Sequence, residues 1–197
     1  MSLLEFDCQF KQPTAGVDEV GRGPLAGPVI SAAVILDFKN IPKGINDSKK
    51  LSKKKRELLN KEITKNSIIS IGRASVEEID KINILQASLL AMKRAVEGLS
   101  IKASIVLVDG IYCPDIKNEC QSIVRGDSKS LSIAAASIVA KVYRDKIMRK
   151  YGLKYPEYKW EKNSGYGTKE HIEAIQRLGI TPIHRTSFKP IYNILNS

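Results

Sequence analysis

Residues 14–36, TAGVDEVGRGPLAGPVISAAVIL, decide the fold. Two strand-like segments, TAGVDEV and GPVISAAVIL, are joined at glycines and predict two adjacent β-strands. The second segment is a near-continuous apolar run that ends at Asp37. Asp18 and Glu19 stand just before a Gly-Arg-Gly sequence, in a chain that is otherwise strongly basic. A strand end that concentrates acids and glycines is the first sign of a binding site for metal and phosphate.

Outside this stretch, the chain continues as strands and helices that follow an α/β pattern. Ser52, Ser75 with Glu78, and Asn83 are predicted start signals for helices. The predicted strands are SIISIGRA, SIVLVDG and CQSIVRG, and the predicted helices are KKKRELLNKEITK, LQASLLAMKRAVEGL, SLSIAAASIVAKVYRDKIMRKYG and KEHIEAIQRLG. The tail is expected to be irregular apart from a short turn of helix. This order predicts a mixed central sheet covered by helices, and about the last 45 residues suggest a helical extension at one edge.

Composition narrows the class of partner. The chain has 197 residues, a net charge of +11 and a sequence pI of about 9.5, which favours nucleic acid first and an anionic membrane second. No apolar run reaches the roughly 20 residues of a membrane span, and the first residues lack the basic start of a secretory signal. Three cysteines without CxxC spacing and only two histidines disfavour a disulfide framework, a zinc hydrolase or a Ser-His-Asp triad. We therefore expect a cytoplasmic protein without a membrane partner.

Carboxylates end three of the predicted strands. AGVDE, IVLVDG and SIVRGD place Asp18, Glu19, Asp109 and Asp127 where an open α/β sheet gathers functional side chains. Four such acids in one crevice need cations between them, and oxygen-only ligands suit Mg²⁺ or Mn²⁺. Two such ions clamp the attacking and leaving oxygens of a phosphodiester.

Structural alternatives for these acids remain open at this point. Asp109 before Gly110 is typical of a turn, and Asp127 is placed to cap the following helix. Asp18 and Glu19 are adjacent, so regular strand alternation points them to opposite faces. Both reach one site only if the strand ends or bulges there.

The glycines after the acids allow two interpretations. GRGPLA matches G-x-G-x-x-A, but that dinucleotide signature requires a helix, and the strand-like VISAAVIL follows here. We instead expect Gly21 and Gly23 to bring the backbone close to a ligand and to adopt positive φ, with Arg22 on a phosphate. A tight hairpin that needs glycine is the alternative.

Seven motifs in order give the chain a family resemblance. GVDEVGRGPLAGPV, NDSKKLS, EEIDKINILQASLLAM, VLVDG, GDSKSLSIAAASIVAKVYRD, GYGTKEH and TPIHRTSF span about residues 14–188. Together they resemble ribonuclease HII, the bacterial type 2 ribonuclease H family. The resemblance implies one ribonuclease H-like α/β domain over residues 1–197, with a mixed five-stranded sheet flanked by helices. Residues from about 152 to 197 would form a C-terminal helical extension that binds substrate.

The implied activity is endonucleolytic. It is hydrolysis of the RNA strand of RNA–DNA hybrids and incision 5′ to a single ribonucleotide in duplex DNA, with two Mg²⁺ or Mn²⁺ ions and 3′-hydroxyl and 5′-phosphate products. A non-catalytic basic nucleic-acid-binding protein is the first alternative. A different two-metal enzyme on the same fold, such as an exonuclease, is the second.

The resemblance also implies roles for individual residues. The metal ligands fall on the four strand-end carboxylates, Asp18, Glu19, Asp109 and Asp127. The substrate contacts fall on Gly21, Arg22 and Gly23, which read the ribonucleotide 2′-OH, and on Tyr166 at the sugar of the RNA-to-DNA junction. Lys49 matches a phosphate-contacting position, and Lys129 and Arg185 fall near the backbone or support the site. Val20, the KWEKNS loop before Tyr166 and DGIYCP depart from the family's usual residues. The tail has no clear sliding-clamp motif, and nothing in the sequence demands more than a monomer.

Overall fold

Five strands form one mixed sheet in the computed structural model, which describes residues 1–46 and 48–196. The strands are β1 (Thr14–Val20), β2 (Val29–Leu36), β3 (Ser67–Ala74), β4 (Ile105–Asp109) and β5 (Glu119–Ile123). Their order across the sheet is β3-β2-β1-β4-β5. β1 pairs antiparallel with β2 and parallel with β4, while β2–β3 is antiparallel and β4–β5 parallel. The predicted mixed five-stranded sheet is confirmed.

Seven α-helices accompany the sheet in the described part of the chain. They are α1 (Leu3–Asp7), α2 (Lys53–Asn66), α3 (Val76–Glu97), α4 (Leu131–Lys154), α5 (Trp160–Asn163), α6 (Lys169–Leu178) and α7 (Lys189–Leu195). Helix α1 was not predicted, and β5 ends at Ile123, earlier than the predicted CQSIVRG segment, because Arg125 takes left-handed backbone angles. No helix among residues 1–46 and 48–196 is long and apolar enough to cross a bilayer.

Helix starts follow the predicted capping residues. The Ser52 side chain accepts from the Lys55 N–H, and Ser75 forms a capping box with Glu78. Asn83 breaks α3 with φ of 66°, and its side chain accepts from the N–H groups of Leu85 and Gln86. These three predicted start signals are confirmed.

Helices cover the sheet on both faces. Side chains of α2 and α4 pack on β2 in one buried cluster, and side chains of α3 pack on β1, β2 and β4 in another. Helix α4 lies so close to β1 that a Cβ on Gly16 would sit 2.0 Å from the Ser132 carbonyl carbon. The strand that carries Asp18 is therefore fixed against the longest helix.

A further buried cluster lies under the C-terminal helices. Its members are Leu25, Ala26, Met148, Tyr158, Trp160, Ala174, Ile175 and Ile191. Leu25 and Ala26 belong to the connection between β1 and β2, and Ala26 also forms an isolated bridge with His184. The C-terminal segment is thus packed directly against the Gly-Arg-Gly connection.

Candidate functional site

The carboxylates stand at neighbouring strand ends on one edge of the sheet. The parallel register of β1 and β4 pairs Val17 with Val108, so Asp18 and Asp109 come next along each strand. Asp109 is paired with Ile123 of β5, and the short turn Gly126–Ser128 that follows carries Asp127. The Gly126 N–H donates to Asp109 Oδ1 at 2.6 Å. This bond ties the end of β4 to the turn that holds Asp127.

Asp18 and Glu19 reach the same cleft, although they are adjacent in a regular strand. β1 has no bulge and keeps its register with β2 up to Val20, where the strand ends one residue after Glu19. On its other side the pairing with β4 stops at Val17, which leaves the edge open. Asp18, Glu19 and Asp109 all line a cleft of about 390 Å³. Because β1 ends one residue after Glu19, the condition expected from strand alternation, a strand end at the acids, is met.

Burial and mutual repulsion destabilise the charged forms of these acids. Burial raises the pKa of Asp18 well above its usual range, and repulsion from Glu19 and Asp109 adds to the shift. Burial raises the pKa of Glu19 against the lowering effect of Arg22. Burial also raises the pKa of Asp109, with repulsion from Asp127 adding to it. The edge is a concentration of negative charge that a bound cation would relieve.

The carboxylate oxygens have the chemistry of divalent-cation ligands, but their spacing in the structure is not that of an assembled metal site. Among residues 1–46 and 48–196, no three Asp, Glu, His or Cys side chains stand where they could hold a metal ion together. Asp127 is buried and its Oδ2 lies 3.5 Å from the Lys49 ammonium, a cation supplied by the chain itself. Buried carboxylates that repel one another, with no imidazole or thiolate among them, are a donor set for Mg²⁺ or Mn²⁺.

Sequence reasoning missed several residues of this cleft. Ser48, Arg56, Ser137 and Lys141 also line it. Ser137 and Lys141 are four residues apart on α4, so they share a helix face. Ser137 also lowers the pKa of Asp18 by a side-chain hydrogen bond, although burial outweighs it. The four-residue spacing of Ser137 and Lys141 in the predicted helix was a sequence signal for those two residues, but it says nothing of Ser48 and Arg56.

The Gly-Arg-Gly loop lies beside Tyr166 at the mouth of the cleft. Gly21 has φ of +98°, as predicted, whereas the positive φ expected for Gly23 is not present. A Cβ on Gly23 would lie 3.4 Å from the Tyr166 ring. Arg22 pairs with Glu19 at 3.4 Å. Tyr166 lines the cleft with 45% of its surface exposed, whereas Arg22 lines a neighbouring pocket of about 170 Å³ that shares Glu19 and Asp109 with the cleft.

The remaining basic positions occupy different settings. Lys49 lines the cleft and is exposed. Lys129 is also exposed, but it does not line the cleft. Arg185 is completely buried beneath the Gly-Arg-Gly loop, where its guanidinium donates to backbone carbonyls of Gly21, Arg22 and Gly27. Arg185 therefore supports the loop from below and does not face the cleft.

Two buried histidines hold the backbone of Tyr166. His171 Nδ1 donates to the Tyr166 carbonyl at 2.8 Å, and His171 Nε2 accepts from the Trp160 N–H at 3.0 Å and from His184 Nε2 at 3.1 Å. His184 Nδ1 accepts from the Thr181 N–H at 2.9 Å. Burial, with repulsion from His171, lowers the pKa of His184 to about 4, and burial lowers the pKa of His171. Both rings are neutral at pH 7, and no pattern in the sequence predicts that they meet.

Solved structures of other proteins share this architecture. Ribonuclease H2 from Pyrococcus horikoshii OT3 superposes with a TM-score of 0.78 at 28% identity, over 93% of this chain and 97% of that one. Bst-RNase HIII, solved in complex with Mn²⁺, superposes with a TM-score of 0.81 over 99% of this chain and 73% of that one. At 18% identity the second comparison bears on the fold alone. The protein has the ribonuclease H-like fold that its motifs predicted.

Sequence comparisons give the family. The model of the ribonuclease HII family matches residues 15–191. Ribonuclease HII of Roseobacter denitrificans is 55% identical over 182 residues, which cover 92% of each chain. The chain belongs to the ribonuclease HII family. It is a metal-dependent endoribonuclease that acts on RNA–DNA hybrids, and this excludes the non-catalytic nucleic-acid-binding alternative.

Proposed function

We propose that this enzyme also incises duplex DNA 5′ to a single embedded ribonucleotide, with two divalent cations at the carboxylate edge. The observation that carries the proposal is the meeting of two features in one cleft. Buried carboxylates that repel one another line it together with Tyr166, and the Gly-Arg-Gly loop adjoins it through the contact of Gly23 with the Tyr166 ring and the pair of Arg22 with Glu19. The first feature suits phosphodiester hydrolysis, and the second suits recognition of a sugar.

Asp18, Glu19, Asp109 and Asp127 are the residues proposed to hold the cations. When bound, two Mg²⁺ or Mn²⁺ ions supply activation of the attacking water and stabilisation of the departing 3′ oxygen. The protein's proposed part is to present Asp18, Glu19 and Asp109 at the ends of β1 and β4 and Asp127 in the turn after β5, with the Gly126 N–H fixing the direction of the Asp109 carboxylate. The proposed products carry 3′-hydroxyl and 5′-phosphate ends.

Ribonucleotide recognition is assigned to the loop and the ring. The 2′-OH distinguishes RNA from DNA at a given nucleotide. Backbone groups of Gly21, Arg22 and Gly23 are proposed to contact it, and Tyr166 to pack on the sugar at the RNA-to-DNA junction. Lys49 is proposed to contact a phosphate. Lys129 is exposed two residues after Asp127 and is proposed to lie near the substrate backbone.

The C-terminal segment is proposed to act as a substrate-binding extension of a single domain. Residues from about 152 onward include Tyr166, and their buried side chains pack on the connection that carries the Gly-Arg-Gly loop. Movement of one side would therefore move the other. The protein is further proposed to work as a monomer in the cytoplasm, in keeping with its three free thiols.

The test uses duplex DNA with one ribonucleotide, labelled at the 5′ end, and an all-RNA strand hybridised to DNA. Each is incubated with Mg²⁺, Mn²⁺ or EDTA, and the cut position and end groups are mapped. We expect one cut on the 5′ side of the ribonucleotide, a 3′-hydroxyl end, and no cut in EDTA. Asp115→Asn is the matched control for carboxylate variants, because Asp115 is exposed and pairs with Lys93 away from the cleft.

The possible results separate the parts of the proposal. Cleavage of the hybrid without a cut at the single ribonucleotide would remove the roles given to Gly21, Arg22, Gly23 and Tyr166. A cut that persists in EDTA would exclude the proposed role of divalent cations. Removal of nucleotides from an end would point to an exonuclease on the same fold.

A further inference from the structure

Two arginines are completely buried between the Gly-Arg-Gly loop and the C-terminal segment. Arg144 lies on α4 and Arg185 precedes α7, and neither exposes any surface. In the described ranges, 1–46 and 48–196, neither guanidinium forms an ion pair with a carboxylate. Burying an unpaired charge is costly unless every donor finds an acceptor. The acceptors that these two arginines use are therefore informative.

Arg185 binds the first and last parts of the loop. Its Nη1 donates to the Arg22 carbonyl at 2.9 Å and its Nη2 to the Gly21 carbonyl at 2.5 Å. Nε and Nη2 both donate to the Gly27 carbonyl, at 2.9 and 2.7 Å. One rigid guanidinium thus closes the loop from Gly21 to Gly27 on itself.

Arg144 joins the same loop to the segment that carries Tyr166. Its Nε donates to the Pro28 carbonyl and its Nη2 to the Ala26 carbonyl, both at 3.0 Å. Its Nη1 donates to the Ser164 carbonyl at 2.9 Å, two residues before Tyr166. The side chain also lies flat under Gly21, where a Cβ would come within 2.2 Å of Arg144 Nε.

The contacts of the two arginines together fix the distance between the Gly-Arg-Gly loop and the segment that carries Tyr166. A planar guanidinium presents donors in a set geometry, whereas a lysine ammonium is a point charge on a flexible stem. The loop that carries Gly23 and the segment that carries Tyr166 are therefore held in register by two rigid forks. Their separation at the mouth of the cleft, where Gly23 faces the Tyr166 ring, follows from that register.

We propose that Arg144 and Arg185 are positioning residues that set the spacing between the Gly-Arg-Gly loop and Tyr166, and so set the selectivity for a ribonucleotide. This inference rests on the proposed function, in which that loop and that ring read the ribonucleotide. Neither arginine touches substrate, because both lie beneath the loop. They act through the backbone groups that they hold.

A role in stability alone does not account for two charges in this place. Buried ionic groups replaced by well-packed apolar residues often leave a protein equally or more stable. Burial lowers the pKa of Arg144 to about 10, and burial with repulsion from Arg144 lowers the pKa of Arg185 to about 9, so both remain charged at pH 7. The two positive charges lie close enough to repel each other, so what these residues contribute at this place is the fixed geometry of their hydrogen-bond donors.

The test compares lysine substitutions with a matched arginine elsewhere. Arg144→Lys and Arg185→Lys keep the charge and lose the fork. Arg94→Lys is the control, because Arg94 also donates to a backbone carbonyl, that of Arg73, but pairs with Glu78 away from the cleft. Cleavage of the single-ribonucleotide duplex and of the long hybrid is measured, with melting temperature, in the wild-type and Tyr166→Ala backgrounds. If Arg144→Lys or Arg185→Lys does not fold, the glutamine variant of the same residue is measured in its place.

We expect the two positioning variants to lose at least about 10-fold in kcat on the single ribonucleotide, and Arg94→Lys to lose less than about 2-fold. In the Tyr166→Ala background the further loss from Arg144→Lys should shrink below about 2-fold, because residues acting as one unit are not additive. An undiminished loss in that background would overturn the inference, since it would mean a purely structural role. If both lysine variants keep the wild-type preference for the single ribonucleotide over the long hybrid, this inference is overturned and the proposed function stands. If the wild-type enzyme does not cut at the single ribonucleotide, the proposed function is overturned as well.

Discussion

The carboxylate edge and the recognition side of the cleft handle buried charge in opposite ways. At the edge, Asp18, Glu19 and Asp109 repel one another, and burial together with this repulsion raises the pKa of Asp18. On the recognition side, the buried guanidiniums of Arg144 and Arg185 donate to backbone carbonyls at every position described. The first region is the one proposed to bind cations, whereas the donors of the second region already have acceptors within the protein. In the proposed function, cation binding completes the carboxylate edge, whereas Arg144 and Arg185 already hold the recognition side in place without a ligand.

The largest effect is expected at the carboxylate edge. Asp18→Asn or Asp109→Asn should lower cleavage by about 10³-fold or more, because each removes a proposed cation ligand. The melting temperature should stay the same or rise, since the substitution removes repulsion between buried carboxylates. Initial rates and thermal unfolding are measured beside Asp115→Asn. Substantial activity in either variant would mean that the ligands have been assigned wrongly.

The second effect breaks the recognition side. Gly21→Ala places a Cβ in the space of Arg144 Nε at a φ of +98°, so the loop must shift. We expect cleavage at a single ribonucleotide to fall about 10–100-fold and the free energy of unfolding to fall by about 1–3 kcal/mol.

Gly179→Ala is the matched control for this substitution. Gly179 also has positive φ, +80°, but nothing lies within 4 Å of its Cβ position. This variant should lose stability through backbone strain alone, less than Gly21→Ala, and keep the wild-type cleavage rate of the folded enzyme. Equal losses of activity in the two variants would contradict a special role for the Gly21 loop.

The third effect separates the two regions by pH. Burial lowers the folded-state pKa of His184 to about 4, below the value near 6.5 expected when unfolded, so its contribution is present above pH 6.5 and is lost as the pH falls toward 4. A loss of about 2 kcal/mol is expected between pH 7.5 and pH 5. The raised pKa of Asp18 acts with the opposite sign, because acid relieves that carboxylate.

Urea unfolding of His184→Asn isolates the histidine, since asparagine keeps an acceptor for the Thr181 N–H. The pH dependence of the variant should be weaker by about 2 kcal/mol over this interval. An unchanged pH dependence would show that His184 is not buried as a neutral ring.

The smallest effect concerns one exposed cation. Lys49→Gln should raise KM about 3–10-fold through loss of a phosphate contact. It should change the free energy of unfolding by less than about 0.5 kcal/mol, because the Lys49–Asp127 contact involves a side chain that is 82% exposed. Lys50→Gln, in the same short turn, is the control. A KM that rises equally in both variants would indicate general charge attraction.

The sequence was sufficient where local rules and strand ends carry the information. The capping residues Ser52, Ser75 and Asn83 and the sheet follow directly from local patterns. The positions of Arg144 and of the two histidines do not. Arg144 stands in KVYRDK, which has the composition of a solvent-exposed turn of helix, yet this part of α4 is covered by chain that folds back from 20 to 40 residues later. Long-range packing decides such positions, and local pattern cannot reveal it.

The most direct test of the contrast between the two regions is thermal unfolding with and without Mn²⁺. A ligand that binds only the folded state stabilises it in proportion to the logarithm of its concentration. The wild type and Asp115→Asn should rise in melting temperature as Mn²⁺ is added and fall back in EDTA. Asp109→Asn should start at least as high as the wild type without metal and respond little. An equal Mn²⁺ response in Asp109→Asn would contradict the account, because the cation would then bind somewhere other than the carboxylate edge.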